Sequence, residues 1–167
     1  DAITTETGNY NRLGIKLEYD DVHNEKYRRF GQFFSLEIEK GTDWLESDFD
    51  ATRFIAEARF YKPLNTQDSI NSRWLVKLSS AKIFNQYSYG IGGASTLRGV
   101  EQDTAEGSAL WLANIEFLHG YRHYPSLRSV LFTDIGNVFE SATTLNRHDW
   151  KTTLGIGLRW KLRSFVK

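Results

Sequence analysis

The chain has 167 residues, a mass of 19.3 kDa and equal numbers of basic and acidic side chains, 21 of each, so its formal charge is zero. This length suits one domain with a core of its own, and the balanced charge argues against a nucleic-acid-binding face. Because the chain contains no cysteine, its sequence excludes disulfides, zinc–thiolate sites and thiol catalysis.

The sequence contains no apolar run that approaches the ~18 residues of a membrane-spanning helix. Its mean hydropathy of −0.48 is typical of a soluble protein. That average is uninformative for a membrane barrel, however, because apolar outer residues and polar lumenal residues alternate there and cancel. Aromatic residues make up 14% of the chain, and proline occurs only 2 times, so the composition favours strands.

Apolar and polar residues alternate with a period of two in about seven segments, which is the pattern of half-buried strands. In the last segment Leu154, Ile156 and Leu158 share one face, while two glycines and Arg159 share the other. No segment repeats apolar residues at the spacing of an amphipathic helix. The chain is therefore predicted to be all-β and antiparallel, with about seven or eight strands. The segments lie at residues 13–20, 34–39, 50–61, 73–79, 111–117, 127–138 and 154–162, with a polar connection over 21–31.

Two architectures accommodate such strands: a soluble barrel or sandwich with its charged faces outside, and a membrane barrel with its charged faces lining a lumen. Trp74, Trp111 and Trp160 are expected near strand ends, where interfacial aromatic girdles form. The longer segments, of about nine to twelve residues, also match a tilted membrane strand better than the usual soluble strand of about five or six. Both features favour a transmembrane β-barrel, and a soluble ligand-binding barrel remains the alternative.

A long loop at about residues 85–107 separates about four predicted strands from about three, whereas the other connections are short. A loop of this length among short turns is usually functional or disordered. Its glycine cluster at residues 90–93 is not expected to cradle a phosphate, because no helix follows to supply amide dipoles. The loop is therefore the first candidate for a functional element.

Gly92 and Gly93, followed by Leu97, Arg98 and Gly99, form a glycine pair and then a hydrophobic-Arg-Gly triplet. This arrangement resembles the long-loop motif of the Omp85 superfamily. Its members are the outer-membrane barrels of assembly factors, translocation-module subunits, two-partner secretion transporters and patatin-linked proteins. The next residue is valine where the family motif has an aromatic residue, so part of the loop's packing is expected to differ.

Phe132, Asp134 and Gly136 form a Phe-x-Asp-x-Gly pattern in the sixth segment, which resembles a strand motif of the same superfamily. The stretches 17–20, 114–117 and 154–160 are also similar to family segments, in the same order. These matches indicate one β-barrel domain, or a barrel fragment, over residues 1–167. The resemblance implies a sixteen-stranded barrel, of which the chain would be a carboxy-terminal portion, or else a shortened barrel.

The resemblance also implies that the long loop folds back into the lumen. By motif, Arg98 would reach Asp134, with Glu116 as a second acceptor. Apart from the family, an arginine in a restricted lumen loses hydration and needs carboxylates to receive its planar guanidinium. Gly99 would let the backbone turn tightly beside the arginine, and Gly136 would leave room for the loop against the wall.

The function that the resemblance implies is the insertion, assembly or translocation of polypeptides at the bacterial outer membrane. The expected partners are outer-membrane lipid and lipopolysaccharide, unfolded or secreted polypeptides, and other assembly subunits reached through amino-terminal domains outside this chain. No nucleic acid is expected. A structural membrane anchor for a patatin-linked enzyme domain is the alternative within the family.

Candidate catalytic and metal-binding groups are few, so the chain is predicted not to be an enzyme and to need no cofactor. His119 and His123 have a zinc-like spacing, but they fall in a predicted turn without a carboxylate nearby in sequence, and no metal site is expected. Glu37 and Glu39 share a face, yet a charge-balanced lumen explains them better than glycosidase chemistry does.

Overall fold

The structure is a computed structural model, and it describes residues 9, 11–25, 28–48, 50–81, 89–141, 144 and 150–161. A short 3₁₀ turn covers Asp43–Leu45. Within the described ranges, no helix is long and apolar enough to cross a membrane. The strands are β1 (Arg12–Asp20), β2 (His23–Glu25), β3 (Arg28–Gly41), β4 (Ala51–Pro63), β5 (Asp68–Ser79), β6 (Tyr89–Ile91), β7 (Ala105–Gly107), β8 (Ala109–Gly120), β9 (Leu127–Phe139) and β10 (Lys151–Trp160).

Seven long strands form one antiparallel sheet in the order β1-β3-β4-β5-β8-β9-β10, and β2 extends it by pairing with β3. Each of the seven predicted segments corresponds to one of these strands, so the all-β antiparallel prediction is confirmed. The last predicted residue, Leu162, lies outside the described residues. Strands β1 and β10 form the two ends of the described sheet, which is therefore a curved wall rather than a closed cylinder.

The two faces of the sheet carry different side chains, as strict alternation along each strand requires. The outer face presents large apolar side chains that stay exposed: Ile15 is 71% exposed and Ile156 is 85% exposed. A soluble monomer rarely leaves so large an apolar surface in water, and a membrane barrel turns such a surface towards lipid. The soluble-barrel alternative therefore does not fit. Other exposed members are Leu13, Leu17, Tyr19, Phe34, Leu36, Ile38, Phe60, Trp74, Phe117, Leu131, Leu154, Leu158 and Trp160.

The inner face carries most of the charged strand residues, and the long loop packs against it. Near the loop, however, this face is apolar: Leu75, Leu110, Leu112 and Val138 form a cluster with loop residues. The charged faces predicted to line a lumen therefore do not extend over this half of the wall, where the loop packs on apolar side chains. The sequence of residues 109–113 already indicates this packing, because the stretch is apolar on both strand faces. That pattern is expected of a strand that is buried on both sides.

Two local predictions also differ from the structure. The connection predicted over 21–31 contains β2 and the first residues of β3, which are held together by contact of the His23 and Phe30 rings with centroids 5.2 Å apart. Trp74 lies in the middle of β5 rather than near its end, because β5 begins at Asp68. Trp160, at the end of β10, lies where an interfacial aromatic residue is expected.

Candidate functional site

The long loop returns to the inner face as a compact structure rather than an open coil. Strands β6 and β7 pair as a small antiparallel ladder, from Tyr89 opposite Gly107 to Ile91 opposite Ala105. At the tip, the Thr96 hydroxyl accepts a hydrogen bond from the Gly92 amide at 2.8 Å and donates one to the Gly92 carbonyl at 2.7 Å. The loop therefore supplies its own backbone partners, as a buried segment requires.

Glycine at position 92 is required by two features of this turn. Its φ of +123° lies in the region that side chains rarely adopt. A Cβ there would also overlap the carbonyl oxygen of Glu101 on the returning limb of the loop. The close approach of these two limbs brings the segment 97–100 down onto the wall.

Leu97 and Val100 attach the loop tip to the inner face through apolar packing. Leu97 is fully buried, at 0% exposure, and belongs to the cluster formed by the inner faces of β5, β8 and β9. Val100, which stands where the family motif has an aromatic residue, packs against the same cluster. Between them, Gly99 adopts a φ of +82°, so the chain reverses immediately after Arg98.

The Arg98 guanidinium meets Asp134 through two parallel contacts. Its Nη2 lies 2.5 Å from Oδ1 of Asp134 and its Nε lies 2.8 Å from Oδ2, while the Arg98 backbone amide donates to Oδ2 at 3.0 Å. Asp134 is completely buried, and the Asn114 amide group donates a further hydrogen bond to its Oδ1 at 2.8 Å. The buried carboxylate is therefore fully hydrogen-bonded, and two of its four bonds come from fixed strand or backbone groups.

Glu116 and Phe132 complete what we call the Arg98 site, which consists of Arg98, Asp134, Glu116 and Phe132. Nη1 of Arg98 donates to Oε1 of Glu116 at 2.5 Å, and the same oxygen accepts from Arg159 at 2.7 Å. The guanidinium carbon lies 3.7 Å from the centre of the Phe132 ring, in cation–π range. The strand register explains this gathering, because β8 and β9 place Glu116 directly opposite Phe132.

The electrostatics of the site keep the arginine charged. Hydrogen bonding to Asp134 raises the pKa of the Arg98 guanidinium above its ordinary value, and Glu116 acts in the same direction, whereas desolvation opposes them. The Arg98 side chain is only 22% exposed. A planar cation between two carboxylates and an aromatic face is a mechanical attachment point, since it makes directional contacts on several sides at once.

Two glycines leave the space that this packing needs. A Cβ on Gly136 would lie 2.6 Å from the Trp111 carbonyl oxygen and 3.1 Å from Cδ1 of Ile91 in the loop. A Cβ on Gly155, which faces Phe132 across β9 and β10, would overlap the Phe132 ring. The sequence predicts this role for Gly136, whereas for Gly155 it indicates only a place on one face of a strand.

The structure thus brings together every residue predicted for the site by motif, with Gly92, Gly93, Leu97 and Gly99 shaping the loop around Arg98. It adds partners that sequence reasoning did not assign. Asn114 bonds both Asp134 and the Thr96 carbonyl oxygen, and Arg73 donates to the Ser95 carbonyl oxygen at 3.0 Å. Their signal in the sequence is weak, because polar residues on an inner face are common and only the register decides which of them meet the loop.

The structure places His119 differently from the sequence-based prediction. His119 lies on β8 rather than in a turn, and its Nδ1 is 2.6 Å from Oδ1 of Asp68 on the neighbouring strand. The carboxylate partner of His119 comes from the neighbouring strand, which spacing along the sequence does not indicate. In the described ranges no group of three or more His, Asp and Glu side chains could hold a metal ion.

Comparison with known proteins agrees with this geometry. A family model described as the Omp85 superfamily domain matches residues 2–163, which confirms the resemblance inferred from the two motifs. No curated protein matches the chain. Among solved structures, the chain is similar to BamA from Haemophilus ducreyi lacking POTRA domains 1-3, with a TM-score of 0.74 and 15% identity over 89% of this chain. It spans 36% of the length of that structure, and at this identity the likeness concerns the fold. The chain belongs to the Omp85 superfamily and forms part of the wall of an integral β-barrel of the bacterial outer membrane.

Proposed function

We propose that this chain is the loop-bearing wall of a barrel that inserts or translocates polypeptides at the outer membrane, and that the Arg98 site holds the loop inside the lumen. Family membership supports the general role. The role of the Arg98 site in holding the loop rests on one observation: Asp134 is buried beneath the loop arginine and binds it through both carboxylate oxygens.

Departure of the loop from the wall would leave buried groups without their partners. Asp134 is 0% exposed with the loop in place, and without Arg98 it would keep only the bond from Asn114 among its side-chain partners. A buried carboxylate that loses its cation is strongly destabilised. Departure of the loop would also uncover the apolar cluster around Leu97 and expose it to lumenal water. The loop therefore occupies the lumen and stabilises the wall, and it has one favourable bound position there.

The barrel would have partners on both faces of its wall. The exposed apolar outer face would contact the acyl chains of outer-membrane lipid and lipopolysaccharide, with unfolded or secreted polypeptides as the substrates handled in the lumen or at the wall. Additional assembly subunits would act through other parts of the protein. We assign no catalytic step to this chain.

Insertion of a client protein by reconstituted vesicles tests the proposal. The full-length protein is placed in lipid vesicles, an unfolded outer-membrane barrel is added, and protease-resistant folded client is measured over time. We expect vesicles with the wild-type protein to accelerate folding over empty vesicles, and Arg98→Ala to reduce the acceleration while the mutant barrel remains inserted. If wild-type and empty vesicles fold the client equally fast, the proposed function is wrong.

A further inference from the structure

The inner face has a second feature that the attachment of the loop does not explain. A cavity of about 850 Å³ opens on the half of the wall away from the entry of the loop. Glu116 is the one carboxylate among its described lining residues, whereas the basic lining residues are eight. We call it the basic cavity, and its basic residues are Arg28, Arg29, Arg59, Arg73, Arg98, Arg128, Arg159 and Lys161.

Arg128 distinguishes this cavity from an ordinary charged lumen. The residue is 9% exposed, and its Nε has no hydrogen-bond partner among the described residues. Its guanidinium packs over Gly120, where a Cβ would lie 3.7 Å from Cζ of Arg128. Burying a cation without a partner is strongly destabilising. In contrast to Asp134, which is saturated with donors, the buried Arg128 has no carboxylate partner among the residues that the structure describes.

The surrounding charges do not compensate for Arg128. Among the described residues, five of the seven arginines of the basic cavity contact carboxylates, and these carboxylates number four, so the positive charges of the arginines exceed them by three. Two of these carboxylates are already shared, because Glu57 binds both Arg59 and Arg73, and Glu116 binds both Arg98 and Arg159. The described carboxylates in these contacts are Glu25, Glu57, Glu116 and Asp134.

The shape of the basic cavity favours an extended anion over a compact one. Its basic residues come from β3, β4, β5, β9 and β10, from the residue after β10, and from the long loop, which supplies Arg98. At the ~4.8 Å spacing of neighbouring strands, the six strands from β3 to β10 cover about 24 Å. A second cavity of about 830 Å³ adjoins it and shares Arg28 and Arg128. One phosphate group could engage two or three arginines, whereas a row of carboxylates could engage them along the whole length.

The side of the wall on which the basic cavity opens also bears on its ligand. Lipid headgroups approach the outer face, where the apolar residues are exposed, while the cavity lies on the inner face beneath Ala94 and Ser95 of the loop. A polypeptide in the lumen would pass directly along it. Each arginine presents a planar fork that matches a carboxylate through two parallel hydrogen bonds.

We propose that the basic cavity binds an acidic segment of a polypeptide in extended form, with Arg128 as its deepest contact. This deepens the proposed function, because it rests on a polypeptide being present in the lumen, but it does not require the Arg98 site to hold the loop. The excess positive charge then serves to attract and retain acidic stretches of the substrate.

Peptide binding to the full-length protein in nonionic detergent tests this proposal. The probe is a short fluorescein-labelled oligoglutamate, and the comparison is an oligoglutamine of equal length, both followed by fluorescence anisotropy. We expect oligoglutamate to bind more tightly and its affinity to fall as salt is added. Arg128→Gln should weaken binding about tenfold, which corresponds to the loss of one charged hydrogen-bonding group. Lys62→Gln, which removes an exposed charge from the outer side of β4, should leave binding unchanged.

A second variant keeps the test valid if Arg128→Gln impairs folding. Arg29→Gln alters an exposed member of the basic cavity and should weaken oligoglutamate binding by a smaller factor, about threefold. Equal binding of oligoglutamate and oligoglutamine, or equal losses for Arg29→Gln and Lys62→Gln, would overturn the proposal. Tight, Arg128-dependent binding of inorganic pyrophosphate without binding of oligoglutamate would assign the cavity to phosphate and overturn the polypeptide ligand.

The same preparations separate this proposal from the function on which it rests. Client insertion is measured with the wild-type protein in vesicles, as described above. Arg128-dependent peptide binding by a protein that inserts no client would refute the proposed function and retain the acidic-ligand site. Client insertion without any preference for the acidic peptide would refute the site and retain the function.

Discussion

Replacement of Arg98 and Asp134, singly and together, probes the contact on which the loop depends. Arg98→Ala leaves a carboxylate of 0% exposure with only Asn114 as a side-chain partner, so we expect a loss of about 4 kcal/mol in unfolding free energy. Asp134→Ala leaves a guanidinium that is 22% exposed and still bound to Glu116, so a smaller loss of about 3 kcal/mol is expected.

The double variant should lose about 5 kcal/mol rather than the sum of the two single losses, because each single change already breaks the same contact. Urea unfolding of the full-length protein in lipid vesicles, followed by the fluorescence of its tryptophans, gives the three free energies. Arg98→Ala combined with Lys62→Ala is the control, and its effects should add because Lys62 is remote from the site. Strict additivity for Arg98 and Asp134 would refute the coupling inferred from their 2.5 Å contact.

Two further predictions use neighbouring residues. Glu116→Gln should destabilise the protein less than Asp134→Asn, because Glu116 is partly exposed while Asp134 is completely buried, and urea midpoints in the reverse order would make Glu116 the main acceptor of the arginine. Gly155→Ala should cost about 1–3 kcal/mol, because its Cβ would overlap the Phe132 ring that stacks on the arginine. Gly157→Ala is the matched control, since it has no atom within 4 Å of the added Cβ, and equal melting temperatures for the two glycine variants would contradict this packing.

The strands could be predicted from the sequence because alternation is a local signal. In β10 the apolar residues at 154, 156 and 158 point outwards without any help from distant parts of the chain. The same reasoning fails where a strand has two packed sides. Leu110 and Leu112 lie on the inner face and are buried by the loop, which alternation alone cannot reveal. Their strand is apolar on both faces, and this continuous apolar run was the available signal.

Contacts across the sheet depend on register, which the sequence does not state. The approach of Arg98 to Asp134 follows from two motifs of a known family, but the participation of Asn114 follows from its place opposite Asp134 in the pairing of β8 with β9. His119 illustrates the same limit, because its partner Asp68 is 51 residues away in sequence and directly opposite in the sheet. One-dimensional spacing could not identify either pair.

Arg128 was beyond sequence reasoning for a different reason. An arginine near the start of a strand is ordinarily solvated, and burial of this one depends on the absence of a side chain at Gly120 on the neighbouring strand. Among the described residues its Nε also has no hydrogen-bond partner, and only the packed structure shows this. The burial and pairing of Arg128 depend on how the whole wall packs. The basic cavity therefore cannot be predicted from the sequence and is visible only in the structure.

The most direct test of the account is the accessibility of the loop in the folded barrel. Leu97→Cys introduces a thiol into 167 residues that contain no other cysteine, at a position of 0% exposure. Ser95→Cys, on the exposed part of the same loop, is the control. In outer membranes, we expect a polar maleimide to label position 95 rapidly and position 97 slowly, and Arg98→Ala to accelerate labelling of position 97 alone. Rapid labelling of position 97 with Arg98 intact would contradict a loop held against the wall of the lumen.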